Sequence, residues 1–267
     1  MHLSAVKLAA RLASEREPFA IATVIRVEGS SSAKSGSSAI IDSRGKLLDG
    51  WVGGGCAESA VRGAAIECIA AGAPRILTLD MMDELMGIGM PCGGIMDVYI
   101  EPVLPQPDLV ILGHGRIAEV LARLGTLMNF HVTVSDPGAE RAKFPEVDRL
   151  VTDDYDLSSV PVGPGTYVVI ATQHRGDQLW LRRVLSTGAA YIALVSSHHR
   201  ANLVIDDLAA DGMDPELLER VWAPAGLDIG AATPEEIALS VMSQIVAIRR
   251  GSAGQALKPA VVRACVP

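Results

Sequence analysis

The chain lacks any stretch of about 18 consecutive apolar residues, so no membrane span is expected. It also lacks a basic excess. Its 23 Lys and Arg face 31 Asp and Glu, a formal net charge of −8. The acidity is spread over both halves, so neither half offers the basic patch that would make nucleic acid an expected partner. Cysteine is sparse: Cys56, Cys68, Cys92 and Cys265 form no C-x-x-C pair and no zinc-type spacing. A reduced, cytoplasmic protein is the default. Cys68, set among Ala and Ile in a helical stretch, reads as a small buried hydrophobe. The N-terminus, Met1 to Pro18, reads as an amphipathic helix without the apolar centre or cleavage site of a signal peptide. What is present is a 49% hydrophobic composition over 267 residues. That is ordinary for a globular protein and enough for one large domain or two small ones.

Three prolines in Glu101–Asp108 (EPVLPQPD) exclude a helix or a central strand and mark a semi-rigid linker. It separates a first domain, residues 1–103, from a second, 108–250, with a loose tail at 251–267. The second domain alternates short apolar runs with helical periods. Strands are expected at Leu109–Leu112, His131–Ser135, Leu150–Val151, Tyr167–Ala171 and Tyr191–Val195, and helices at Ile117–Met128 and Asp177–Ser186. This alternation predicts βαβ units, hence a doubly wound parallel sheet covered by helices. Thr233-Pro234-Glu235-Glu236 is a helix start with a capping box, and the helix runs to about Arg250. The first domain reads as a small mixed α/β unit. Strands are expected at Phe19–Val27, Ser38–Ile41, up to about Val52, Arg75–Leu79 and Ile95–Ile100, with a helix from Ala57 to Ala71.

Gly113-His114-Gly115-Arg116-Ile117-Ala118 matches G-x-G-x-x-A between a strand and a helix. Gly113 suits the tight turn, Gly115 the close approach of a phosphate, and Ala118 close helix–strand packing. The free N–H groups of the helix start suit a pyrophosphate, with Arg116 as a candidate neutralising cation. Asp136 ends the next strand, where a carboxylate accepts ribose hydroxyls and disfavours a 2′-phosphate. A Rossmann-like fold follows, with a nucleotide as a candidate ligand. An NAD-dependent oxidoreductase is one reading of this loop. It would need an acid or base near the nicotinamide, for which His174 and Asp177 are the candidates.

Two glycine–cysteine segments stand out in the first domain: Val52-Gly53-Gly54-Gly55-Cys56-Ala57-Glu58, and Gly87 to Gly94 with Cys92 before Gly93 and Gly94. Glycines leading into a helix leave N–H groups free for an anion, and helix N-termini favour thiolates. Cys56 and Cys92 are therefore candidates for binding a soft metal or a sulfur-bearing cofactor, or for nucleophilic chemistry. The serine-rich loop from Ser30 to Ser38 is no P-loop, but Lys34 is a candidate anion contact.

Five segments together give the chain a resemblance to the xanthine dehydrogenase accessory protein (XdhC/CoxI) family: Gly29–Gly36 (GSSSAKSG), Val52–Glu58 (VGGGCAE), Gly89–Pro102 (GMPCGGIMDVYIEP), Val110–Leu124 (VILGHGRIAEVLARL) and Pro224–Val241 (PAGLDIGAATPEEIALSV). The resemblance implies a maturation chaperone more than an enzyme, one that holds the molybdenum cofactor in its plain or dinucleotide form. Its implied partners are an apo molybdenum hydroxylase of the xanthine dehydrogenase or carbon monoxide dehydrogenase type and a cysteine-desulfurase-like sulfur donor; a homodimer is left open. On this view Lys34, Gly54, Gly55, Cys56, Glu58, Cys92, Gly93 and Gly94, together with Gly113, Gly115, Arg116 and Asp136, form the cofactor-binding set, and Cys56 and Cys92 are the soft contacts to the metal. Four departures point to a divergent subfamily. Ser32-Ala33 replace a Pro-Arg pair before Lys34. The dinucleotide loop reads G-H-G-R-I-A where G-A-G-H-V-A is common. The T-H-x-H-x-x-D segment appears as Thr172 to Asp177 without its first histidine, and the I-G-x-I-G-S segment as Ile192 to Ser197 without its glycines.

Overall fold

A computed structural model describes residues 2–29, 31–80, 94–172 and 176–257. The chain divides into two compact units, Met1–Pro105 and Gln106–Pro267.

The first unit contains α1 (Leu3–Ser14), β1 (Phe19–Gly29), β2 (Ser38–Asp42), β3 (Leu47–Gly50), α2 (Cys56–Ala71), β4 (Arg75–Asp80) and β5 (Gly94–Val103). Its five strands form a sheet in the order β3-β2-β1-β5-β4, antiparallel throughout. The period-2 alternation of strand β1 sorts its side chains between two layers. Ala20, Ala22 and Val24 pack with Val61, Ala64, Ala65 and Cys68 of α2, while Phe19 and Ile21 pack with Ala5 and Leu12 of α1. Cys68 is buried, and that burial pushes its thiol above the ordinary value. Gly72, in the left-handed region at φ 64°, ends α2.

The proline-rich linker is shorter than its composition implies. Strand β5 continues through Pro102, which pairs with Ala20 of β1. Strand β4 reaches only Ile100, so β5 has an open edge at Pro102, where a missing N–H is tolerated. Asp108 already belongs to the next strand.

The second unit contains β6 (Asp108–Leu112), α3 (Arg116–Leu127), β7 (His131–Ser135), β8 (Arg149–Val151), β9 (Thr166–Ile170), α4 (Asp177–Leu185), β10 (Tyr191–Leu194), α5 (His198–Ala210), α6 (Pro215–Leu218), β11 (Val221–Trp222) and α7 (Pro234–Arg249). All six strands are parallel, in the order β8-β7-β6-β9-β10-β11. Helices α3 and α7 cover one face, packing on Leu109, Ile111, Val132, Val134 and Val169. Helices α4, α5 and α6 cover the other through Val110, Leu112, Val168, Ile170 and Leu194. Burial on both faces explains why these strands read as unbroken apolar runs. This is the doubly wound Rossmann order, with its switch point between β6 and β9. Helices α5 and α6 and strand β11 fill the stretch between Val195 and Thr233, where the sequence alone suggests no element. Among the described residues no helix is long and apolar enough to cross a membrane.

Candidate functional site

In the first unit the serine-rich loop and the glycine turn come together. Ala33, Val52 and Ala57 share one buried cluster, and the Ser32 hydroxyl lies 3.8 Å from where a Cβ on Gly53 would stand. Gly53 and Gly55 have φ of 120° and 57°, which only glycine adopts without strain. A Cβ on Gly54 or Gly55 would meet nothing within 4 Å, so there is open space on that side of both residues. Cys56, half-buried, is the first residue of α2, whose start carries no side-chain cap. Glu58, in the first turn, pairs with Arg62 at 3.7 Å. Lys34 is exposed and has no ion-pair partner among the described residues. Gly94 opens β5 opposite Gly29, the residue that leads into the serine-rich loop. Lys34, Gly54, Gly55, Cys56 and Gly94 thus belong to elements joined at one end of the sheet. Cys92 and Gly93 lie outside the described residues. Among those described, no group of three or more His, Cys, Asp or Glu is placed to hold a metal ion.

In the second unit the glycine loop follows β6. Gly113 has φ 139°, and a Cβ there would stand 2.1 Å from the Ala171 carbonyl oxygen, so this glycine lets the ends of β6 and β9 approach. Gly115 caps α3 without a side-chain hydrogen bond, leaving the first-turn N–H groups of that helix uncapped. Ala118 is fully buried against the sheet.

Two side chains assigned to a ligand have partners within the chain. The Asp136 Oδ1 atom lies 2.6 Å from Nδ1 of His114 and accepts the Gly138 N–H at 2.7 Å. The Arg116 guanidinium donates to Glu235 at 2.9 and 2.7 Å and to Glu119 at 3.2 Å. Its bonds to Glu235 raise its already high pKa and hold the Glu235 carboxyl below the usual carboxylate range. Asp177 is buried as the first residue of α4; its carboxylate accepts from the Thr172 hydroxyl and, at 3.3 Å, from Arg200. His174 lies outside the described residues.

Beside the glycine loop, at the carboxyl ends of β9 and β10, a cavity of about 660 Å³ opens. Gly115, Arg116 and Ile117 form one wall, Val195, Ser196 and Ser197 another, and the segment from Leu227 to Ala231 a third. Helix α7 fixes the third wall: the Ser240 hydroxyl donates to the Leu227 carbonyl at 2.5 Å, and the Gln244 carbonyl oxygen accepts the Gly226 N–H at 2.8 Å. Ser196 Oγ is shielded from solvent and has no hydrogen-bond partner among the described residues. Asp228 lines the cavity with its carboxylate unpartnered among the described residues. Ser196 and Asp228 are not legible as site residues in the sequence. The Gly226–Ala231 segment stands out there only through its resemblance, and the cavity forms only when three distant stretches meet.

The comparisons with known proteins fit this architecture. The XdhC Rossmann domain model matches residues 109–245 and the XdhC and CoxI family model residues 12–80. The chain belongs to the XdhC family. This XdhC-family chain is 28% identical over 253 residues to the uncharacterized protein YqeB of Escherichia coli, a match covering 92% of the chain and 46% of that protein. It is 32% identical over 160 residues to a probable xanthine dehydrogenase subunit of Bacillus subtilis, covering 58% of the chain and 46% of that protein. The chain thus spans about half the length of the curated relatives it matches. A solved structure from Bacillus halodurans, described as a xanthine dehydrogenase, shares the fold at TM-score 0.50 and 23% identity, over 95% of this chain and 98% of that one.

Proposed function

We propose that this XdhC-family chain is an accessory protein that carries the molybdenum cofactor to a molybdenum hydroxylase of the xanthine dehydrogenase type and supports its sulfuration by a cysteine-desulfurase-like partner. The observation that carries this reading is the wide cavity beside an uncapped helix start in the Rossmann domain. Among the described residues Arg116 and Asp228 are the charged groups on its walls, and Arg116 is already ion-paired. Such a lining suits binding of a small molecule. The first unit adds a half-buried thiol, Cys56, next to two glycines with open space where a Cβ would stand. A soft sulfur ligand suits molybdenum, and free peptide N–H groups suit a phosphate.

The test is to purify the chain from cells that make the cofactor, oxidise the sample and measure pterin fluorescence. Pterin retained by the wild type and reduced in Cys56→Ala and Cys92→Ala supports the reading. No pterin above background contradicts it.

A further inference from the structure

Helices α3 and α7 form the outer layer on one face of the parallel sheet and run side by side in the same direction. Their starts are joined by Arg116 and Glu235, at 2.9 and 2.7 Å. At the far end the Arg249 guanidinium of α7 lies 5.6 Å from the ring centroid of Phe130, just past the end of α3. The two helices are therefore in register. Arg123 is level with Met242, since the two stand equally far along from Arg116 and Glu235.

The inner side of α7 is committed to the core, where Ala238, Val241, Met242 and Ile245 are buried. Its outer side is not. Glu235, Leu239, Val246 and Arg250 follow one another there at helical spacing, and Leu239 is 51% exposed. On α3 the outward line is Arg116, Val120, Arg123 and Leu127, with Leu127 81% exposed. The charges of this layer are sorted by end. Every carboxylate on the two helices, Glu119, Glu235 and Glu236, stands in a first turn. The end of α7 carries Arg249 and Arg250. This sorting complements each helix dipole, and it makes the face complementary to itself when turned end over end.

A two-fold axis across the layer, level with Met242 and Ser243, lays α7 antiparallel on α7 of a second copy. Glu235 then faces the partner's Arg250, and Leu239 faces the partner's Val246. The small Ser243 lies at the crossing, where the backbones come closest. Glu235 can take this second cation, because its bonds to Arg116 both use Oε1. Arg250 is exposed and has no ion-pair partner among the described residues. On α3, Val120 faces the partner's Leu127. Arg123 alone meets its own kind, near the axis. A different protein would have to carry the same order of acid, apolar side chain and base, whereas a second copy carries it by symmetry.

We infer that the outer face of α3 and α7 is a self-association surface on which two copies of this chain pair about a two-fold axis, Glu235 of each against Arg250 of the other. The inference does not depend on the cargo proposed above.

The experiment is sedimentation equilibrium of the full chain and of charge-reversed variants, each checked for folding by circular dichroism. The wild type is expected at twice the monomer mass at micromolar concentration. Glu235→Arg sets arginine against arginine at both ends of the interface, and Arg250→Glu sets glutamate against glutamate. Each variant alone is expected to pair about tenfold more weakly or worse. Mixed in equal amounts, the two variants restore both Glu–Arg pairs, and a mixed dimer within about threefold of wild-type affinity is expected. Leu239→Lys, on the same exposed line, should also weaken pairing by about tenfold. It covers the case in which Glu235→Arg, which loses the Arg116 contact, fails to fold. Arg123→Ser should tighten pairing by removing the like-charge contact near the axis. A monomeric wild type overturns the inference. So does a dimer that Leu239→Lys or either charge reversal leaves intact, and so does a mixture of the two reversed variants that stays monomeric.

Discussion

A methyl group on Gly113 would stand 2.1 Å from the backbone oxygen of Ala171, the residue after β9, and 2.5 Å from its carbonyl carbon, at a φ of 139°. Neither the clash nor the dihedral can be relieved by a side-chain rotation, because both partners are main chain. Gly113→Ala is therefore expected to cost of order 3 kcal/mol, read as a lower denaturation midpoint with an unchanged slope. A variant as stable as the wild type would show that the two strand ends separate freely. The need for this glycine was visible in the sequence, because a strand, G-x-G-x-x-A and a helix occur in the expected order. The partner of Asp136 was not. His114 stands one place after the first glycine, and only the fold brings its ring to the end of β7, 22 residues further along the chain. Arg116 shows the same limit. A cation at a helix start suggests a phosphate contact, but Glu235, 119 residues away, takes its guanidinium.

Helix α7 was the most legible element, because its start is written in local chemistry. The Thr233 hydroxyl accepts the Glu236 N–H at 3.3 Å and the Glu236 carboxylate accepts the Thr233 N–H at 2.9 Å, the reciprocal pair that T-P-E-E predicts. Thr233→Ala removes one half of this box and is expected to lower stability by about 1 kcal/mol. Because α7 holds the Leu227 and Gly226 wall through Ser240 and Gln244, a loss much larger than that would mean the cavity wall melts with the cap. A thermal melt of the variant distinguishes the two. Helix α5 carries no such signature in its sequence. Ala201, Val204 and Leu208 lie buried at helical spacing behind the Ser197 cap, but His198, His199 and Arg200 at its start obscure the apolar period. Strand β11 has two residues, too few for any period to register. Pro102 misled in the other direction: proline suggested a linker, yet an open sheet edge accommodates it.

At the scale of the whole molecule, two units with different logic share one chain. The first joins a serine-rich loop, a glycine turn and a half-buried thiol at one end of an antiparallel sheet. The second places a cavity at the carboxyl edge of a parallel sheet, where doubly wound folds bind small molecules. The doubly wound class was legible from alternating runs and periods, because strands buried on both faces cannot hide their composition. The cavity was not, since its walls come from residues near 115, 196 and 228, which no local pattern connects. Each unit contains one of the two matches to the family. A carrier, as proposed, has to hold its cargo and then release it to a tighter site. The direct measurement is to mix the pterin-loaded chain with a cofactor-free molybdenum hydroxylase, separate the two proteins and follow the pterin and the hydroxylase activity together. Carriage predicts that pterin leaves this chain and that activity appears in proportion, faster than with the same amount of free cofactor. Pterin that stays bound, or activity no faster than free cofactor gives, would contradict it.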